Sequence, residues 1–488
     1  MNPRTPVLVG VGTVRQREDD PSAALEAIDL VVAAARRAGD DAAAPGLLSR
    51  VDLIAIPRGV WSYADPGRMV AEAIGAAARS VVAEIGVLQQ SVISRACLDL
   101  ASGRAEVALV CGGEAKYRAL RAMQSGTTAP ERESGPSVPA ESMQADGDVL
   151  HLVEIARHLA VPAHQYATIE SALRHAAGRS PSAHRAHLGS LQERFARVAA
   201  GAPDAWDRSA PAAAEIATPG GRNREVAAPY TRMLCSQWNV DQAAALLLTT
   251  FERARSAGVP RDRMVFPLAA VESNLMVPLV ARAELHRWPA FREAVRCLAE
   301  IAPGSSPPGH DGPVDLYSCF PAAVQVQAAE LGLPLDAELT TTGGMTFGGG
   351  PLNSFVLQST AATARRLRER PGDRGLVTCV SGMLTKPGLA LWSTEPRDGG
   401  FAFADATAAA RVTTETRPVD ADAVGIGRVV GATALPESGV LARAVAIVEL
   451  DDGRRTVASA DDAVLARAFA DEETVGTRIR VGEPGRLG

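Results

Sequence analysis

The sequence is poor in the residues that staple, anchor or metallate a chain. Six cysteines are spread over 488 residues and none forms a CxxC pair. That excludes a secreted disulfide scaffold and reads as reduced thiols in a cytoplasm. No apolar run approaches the ~20 residues that span a bilayer, so no membrane association is expected. The opening MNPRTPVLVGVG has neither the basic start nor the long apolar stretch of a signal peptide. Basic residues are not in excess: 50 Lys plus Arg face 56 Asp plus Glu, a formal charge of −6, which argues against a nucleic-acid partner. HExxH, Walker and GxSxG patterns are missing, and GVG at Gly10 lacks the third glycine of a dinucleotide fingerprint. Six of the eight histidines lie between 151 and 187. Of these, His184 and His187 stand at helical spacing without a third ligand, so no metal is expected. What is present, 47% apolar and 22% charged residues, suits a large globular α/β chain of more than one domain.

Periodicity divides that length. Pro6 to Val14, an apolar run interrupted by Gly10 and Gly12, reads as a buried strand feeding a turn. A helix follows, closed by Gly39. From Val51 apolar strands (VDLIAI, RSVVAEI, AEVALVCGGEA) alternate with helices, the pattern of a mainly parallel sheet covered on both faces. The same order returns from Val314: VDLYSCF, a helix, the strand-like ELTTTGGM, a glycine-rich turn, a long helix and the strand GLVTCVSGML. Such long-period similarity implies two related halves. Residues 1–255 form the first, with a helical insertion at 117–232, and residues 256–395 form the second. Residues 396–416 read as a linker. Beyond it, 417–488 alternate short β-like runs with turns, as in a small antiparallel barrel.

Two helices, starting near Gly86 and Pro351, follow tight turns at the carboxyl ends of strands. Ligands collect there in open α/β sheets, and helix N-termini favour developing negative charge. Gly348, Gly349 and Gly350 form a turn that could bring backbone N–H groups to an anionic group such as a phosphate. Asn353 and Asn274 are candidates for orienting a substrate.

These features resemble the thiolase superfamily. NVDQAAALLL is similar to the thiolase NDGAAALLL pattern, GRAEVALVCGGEA to its GGxE strand, and TTGGMTFGGGP to its NGGxxxxGHP turn. The likeness runs from about residue 5 to 395. With the β tail it extends to thiolase-like proteins of actinobacteria, of the acetyl-CoA acetyltransferase type. It implies a layered αβαβα fold, an acyl-CoA or similar thioester as ligand, a place in lipid metabolism and no further cofactor. Dimerisation through RSVVAEI is also implied, although the extra C-terminal domain could replace that contact; monomer and homodimer both stay open.

Matched position by position, the resemblance puts the thiolase nucleophile at Gly86 and the GHP histidine at Gly350. The second thiolase cysteine falls at Val380, with Cys379 one place earlier and facing the other side of the strand. In YSCF, Cys319 keeps the place of the acid/base cysteine of sterol-carrier-type thiolases, and Tyr317 stands where their histidine does. One reading is therefore an enzyme acting on a thioester by a non-thiolase proton-transfer or C–C bond reaction through Cys319 and Tyr317. Another is a non-catalytic acyl-CoA-binding or scaffold protein. A third is an acetyl-CoA acyltransferase with rearranged catalytic residues.

Overall fold

The computed structural model describes residues 2–304, 306–482 and 485–487. Its core is five layers. The first sheet runs in the order Pro6–Gln16, Asp241–Thr250, Val107–Ala115, Leu53–Pro57, Arg79–Ala83, Glu141–Met143. The second runs Val314–Asp315, Arg374–Ser381, Lys386–Ser393, Phe266–Glu272, Ala402–Asp405. Helices Gln89–Ser102 and Phe355–Glu369 lie between them. Leu88, Val92 and Val356 pack there against Val81, Val110 and Leu246 of one sheet and Val377, Ala390 and Trp392 of the other. The helix Ala27–Asp41 covers the outer face of the first sheet, and Pro289–Ile301 that of the second.

Both sheets are mixed: three of the five strand pairings in the first are parallel, as the sequence pattern implies, against two of four in the second. Asp241–Thr250 is antiparallel to both of its neighbours, and Arg374–Ser381, Lys386–Ser393 and Phe266–Glu272 form an antiparallel run. The strand expected from Pro6 to Val14 is present and runs on to Gln16, with Gly10 and Gly12 inside it. They let the covering helix approach, since a β-carbon on Gly10 would lie 1.9 Å from the Ala38 carbonyl oxygen and one on Gly12 2.0 Å from that of Ala34.

Three other expectations change. ELTTTGGM is not a strand, because its polar groups wrap the buried carboxylate of Asp315. That carboxylate accepts from the N–H of Thr341 (2.7 Å) and Thr342 (3.1 Å) and from the hydroxyls of Thr340, Thr341, Thr342 and Ser359. Among the described residues the second half therefore has no counterpart to Arg79–Ala83. The stretch expected as a linker, 396–416, instead supplies the edge strand Ala402–Asp405, parallel to Phe266–Glu272. It also supplies the helix Thr407–Thr413, packed on Pro289–Ile301. Within the helical insertion, Glu141–Met143 pairs with Val81–Ala83 and covers the very edge expected to dimerise.

Strands Gly425–Glu437, Val440–Leu450, Arg455–Ala460, Arg486–Leu487 and Arg478–Gly482 close into a barrel with its own core of Val429, Ala434, Val448 and Phe469. It is docked on the rest of the chain. Ala432 N–H donates to Ser171 Oγ (2.8 Å) and Ala228 N–H to the Ala434 carbonyl (2.8 Å). The buried Arg455 guanidinium reaches the carbonyls of Arg282 and Ala283. Among the described residues no helix is long and apolar enough to cross a membrane.

Candidate active site

The two central helices aim their N-termini at one region, and the candidate residues divide around it. At the first helix, Gly86 holds φ +98°, in the left-handed region that favours glycine. A β-carbon there would lie 2.9 Å from the methyl of Ala145. The Gly86 carbonyl accepts from Ser381 Oγ (2.8 Å) and, more distantly, from Lys386 Nζ (3.5 Å). Past the turn, Gln89 Oε1 accepts from Val356 N–H (2.9 Å), tying the first central helix to the second. Ser91 and Ser94 donate to the buried Glu272.

The strand Arg374–Ser381 has the phase opposite to that expected. Cys379 faces this helix start, where the backbone N–H groups of Gln89 and Gln90 are directed at its sulfur. Val380 packs into the outer core. Burial outweighs those amides and pushes the Cys379 thiol up to about 12.

Tyr317 and Cys319 are brought into the same region. Tyr317 receives a long contact from Gln89 Nε2 (3.4 Å), and its N–H donates to Thr378 Oγ1 (2.8 Å). The Cys319 thiol lies beside the Tyr166 hydroxyl of the inserted helix Pro162–Ala176. The neighbouring Phe320 ring stacks on Tyr166 at 4.5 Å and on Tyr230 at 5.6 Å. Burial raises the Cys319 thiol to about 12. A thiol so raised stays protonated at neutral pH, so Cys319 can donate a proton but is a poor base.

Two polar groups of the glycine turn are bonded within the protein. Gly350 N–H donates to the Gln237 carbonyl (2.9 Å), while the Gly348 carbonyl accepts from Trp206 N–H (3.0 Å) and Gln242 Nε2 (2.8 Å). Gly349 holds φ +101°, and a β-carbon on it would lie 2.0 Å from Gln242 Oε1. Asn353 holds φ +55° and donates from Nδ2 to the Arg58 carbonyl (2.7 Å), a tie between the halves. Asn274 is exposed, its N–H bonded to Thr407 Oγ1. Of the predicted set, then, Gly86, Tyr317 and Cys319 share one region. The amide of Gly350 is already taken, and Val380 and Asn274 face elsewhere.

His184 Nε2 lies 2.8 Å from Glu170 Oε1, a carboxylate that also accepts from Tyr230 and Gln325. Among the described residues no cluster of three His, Cys, Asp or Glu could hold a metal. On the far side of the glycine turn a cleft of about 670 Å³ is lined by Gly348, Thr341, Thr342, Arg37, Arg197 and Arg365 among others. That volume lies in the range of small-molecule sites.

Sequence reasoning missed Tyr166, Gln89 and Lys386. The first two are brought in by contacts between segments remote in the chain. For Lys386 a signal existed, because only two of the fifty basic residues are lysines.

No protein-family model matches the chain, and no curated protein matches it. Among solved structures it is similar, over 100% of its own length and 99% of the other chain, to a monomeric SCP2-thiolase-like protein type 1 from Mycobacterium smegmatis, at 26% identity and a TM-score of 0.83. It is also similar to the Ltp2–ChsH2(DUF35) aldolase, over 81% of this chain and 99% of that one, at 18% identity and a TM-score of 0.59. Human mitochondrial 3-ketoacyl-CoA thiolase matches over 80% and 99% of the two chains, at 15% identity and a TM-score of 0.57. The last two likenesses show the fold alone. Five layers, two central helices and a C-terminal barrel matched along the full chain lead to one conclusion: the protein is a member of the thiolase superfamily.

Proposed function

We propose that this protein binds an acyl-CoA or a related thioester in the cytoplasm, as a monomer, and does not run the cysteine cycle of a thiolase. One observation carries the reading. The place that the resemblance assigns to the nucleophile is Gly86, which carries no thiol and whose φ of +98° is a backbone conformation that side chains rarely adopt, with a β-carbon there 2.9 Å from the Ala145 methyl. Loss of a covalent nucleophile removes the step that divides acyl transfer into two easier ones. Gly350 stands at the histidine position and offers no side chain to polarise a thioester; removing such a donor typically costs about 10²–10³ in rate.

Ligand binding is supported by the cleft beside Gly348, whose lining carries Arg37, Arg197, Arg365 and Arg366 against Asp204 and Glu369, a net positive charge suited to the phosphates of coenzyme A. A second reading, proton transfer to a bound thioester, is favoured by the protonated Cys319 thiol beside Tyr166. Calorimetric titration with acetoacetyl-CoA, and with the phosphate-free acetoacetyl-pantetheine, tests the binding claim. Saturable binding of the first, at least about tenfold weaker for the second, is expected. Absence of binding by both overturns it.

A further inference from the structure

Lys386 opens the strand Lys386–Ser393 and is 0% exposed. Its side chain shares the inner sheet face with Gly388, Ala390 and Trp392, opposite the start of the helix Gln89–Ser102. Nζ donates to the Asp146 carbonyl (2.9 Å) and lies 3.5 Å from the Gly86 carbonyl, to which Ser381 Oγ also donates. The amine therefore stands at the turn to which the resemblance assigns the thiolase nucleophile. The surface loop 144–148 lies against it through the Asp146 carbonyl, and four of that loop's five residues are exposed.

A basic side chain that merely caps carbonyls does not require lysine in this chain. Arg282 caps Val277 and Met383, Arg455 caps Arg282 and Ala283, and Arg397 caps Ile301 and Gly400. Guanidinium does this with more donors and does not lose its proton. Ammonium differs in one chemical respect: when desolvated it gives up a proton and becomes a nucleophile. Burial acts on Lys386 in that direction, opposed by the nearby Asp146.

We propose that Lys386 is an amine nucleophile that captures an oxo group on the acyl chain of the bound thioester as an imine, an inference that rests on the thioester reading above. The Nζ lone pair bonds to the carbonyl carbon, and C=N replaces C=O. Both amine hydrogens leave with the oxygen as water, so no oxidant or reductant is consumed. Movement of the 144–148 loop, held by the Asp146 carbonyl bond, admits the ligand.

Chemical trapping tests this on the full chain. The protein is incubated at neutral pH with sodium cyanoborohydride and either acetoacetyl-CoA or acetoacetate, then digested and mapped by mass spectrometry. With only Lys116 and Lys386 present, the assignment is direct. The adduct is expected on Lys386, at least about tenfold faster with acetoacetyl-CoA, lost in Lys386→Arg and kept in Lys116→Arg. Mapping on the unsubstituted chain decides the matter even if Lys386→Arg does not fold. Adducts confined to Lys116 or the terminal amine with both probes overturn the proposal. A melting temperature raised by acetoacetyl-CoA without a Lys386 adduct refutes the imine and leaves the thioester reading standing. A Lys386 adduct with acetoacetate alone, without any thermal shift or adduct from acetoacetyl-CoA, supports the amine and overturns the thioester reading.

Discussion

Gly86 and Ala145 approach so closely that a β-carbon on the glycine would sit 2.9 Å from the alanine methyl, at a φ of +98° that side chains rarely adopt. The inserted segment thus closes over the start of the first central helix at a backbone conformation that favours glycine. Installing a cysteine at this position is expected to destabilise the protein without creating a thiolase. Strain of this kind costs about 1–3 kcal/mol, so Gly86→Cys should unfold at lower denaturant and show no thiolysis. A variant of unchanged stability that thiolyses acetoacetyl-CoA would contradict the account.

Glu114 offers a test through pH. It is 1% exposed, Oε1 accepts from Val60 N–H at 2.8 Å, and Oε2 has no partner among the described residues. Burial raises its carboxyl from 4.5 to about 7. The folded state therefore binds a proton that the unfolded state has released between those values. Its contribution is fully present below about pH 4.5 and is lost as the pH rises to about 7, a change on the order of 3 kcal/mol. Glu114→Gln keeps the acceptor for Val60 and removes the titration. Denaturant unfolding at pH 5 and pH 8 should show the variant gaining on the native protein at the higher pH. An equal difference at both values would show that Glu114 does not titrate in this range.

The thiols give a third test. Cys319 and Cys379 are buried with thiols raised to about 12, whereas Cys297 is only half-buried. Iodoacetamide at pH 7.5 should modify Cys297 first and reach Cys319 and Cys379 only on unfolding. Fast modification of either buried thiol at neutral pH would reveal an activated thiolate that the geometry does not provide.

Because Glu141–Met143 already pairs with Val81–Ala83, the strand edge that would recruit a second copy is occupied. Arg95 anchors the covering strand through a two-pronged ion pair with Glu141, its Nη2 2.7 Å from Oε2. Light scattering after size exclusion should give the monomer mass of 50.8 kDa over a wide concentration range. A mass twice that would refute self-capping.

Much of this architecture was legible in the sequence. Strands such as Val107–Ala115 and helices such as Gln89–Ser102 carry their periodicity openly, and the barrel announces itself through short runs between turns. Short or polar edge elements were not: Glu141–Met143 is three residues long and Ala402–Asp405 alternates between half-buried and exposed. Their existence depends on the sheets they complete. The misjudged phase at Cys379 and Val380 has a simple cause, since a one-residue slip along a strand exchanges its two faces. ELTTTGGM looked like a strand because nothing local shows that Asp315 claims its amides. Tyr166 was invisible as a neighbour of Cys319, because 153 residues separate them in the chain and only the packing of the inserted helix brings them together.

The central claim, a thiolase fold that holds a thioester without the cysteine cycle, is tested most directly by turnover of acetoacetyl-CoA with free CoA at saturating concentrations. The account predicts a raised melting temperature with the ligand and no acetyl-CoA formed above the uncatalysed rate. Acetyl-CoA formed at an ordinary enzymatic rate, and abolished by Cys319→Ala, would contradict it.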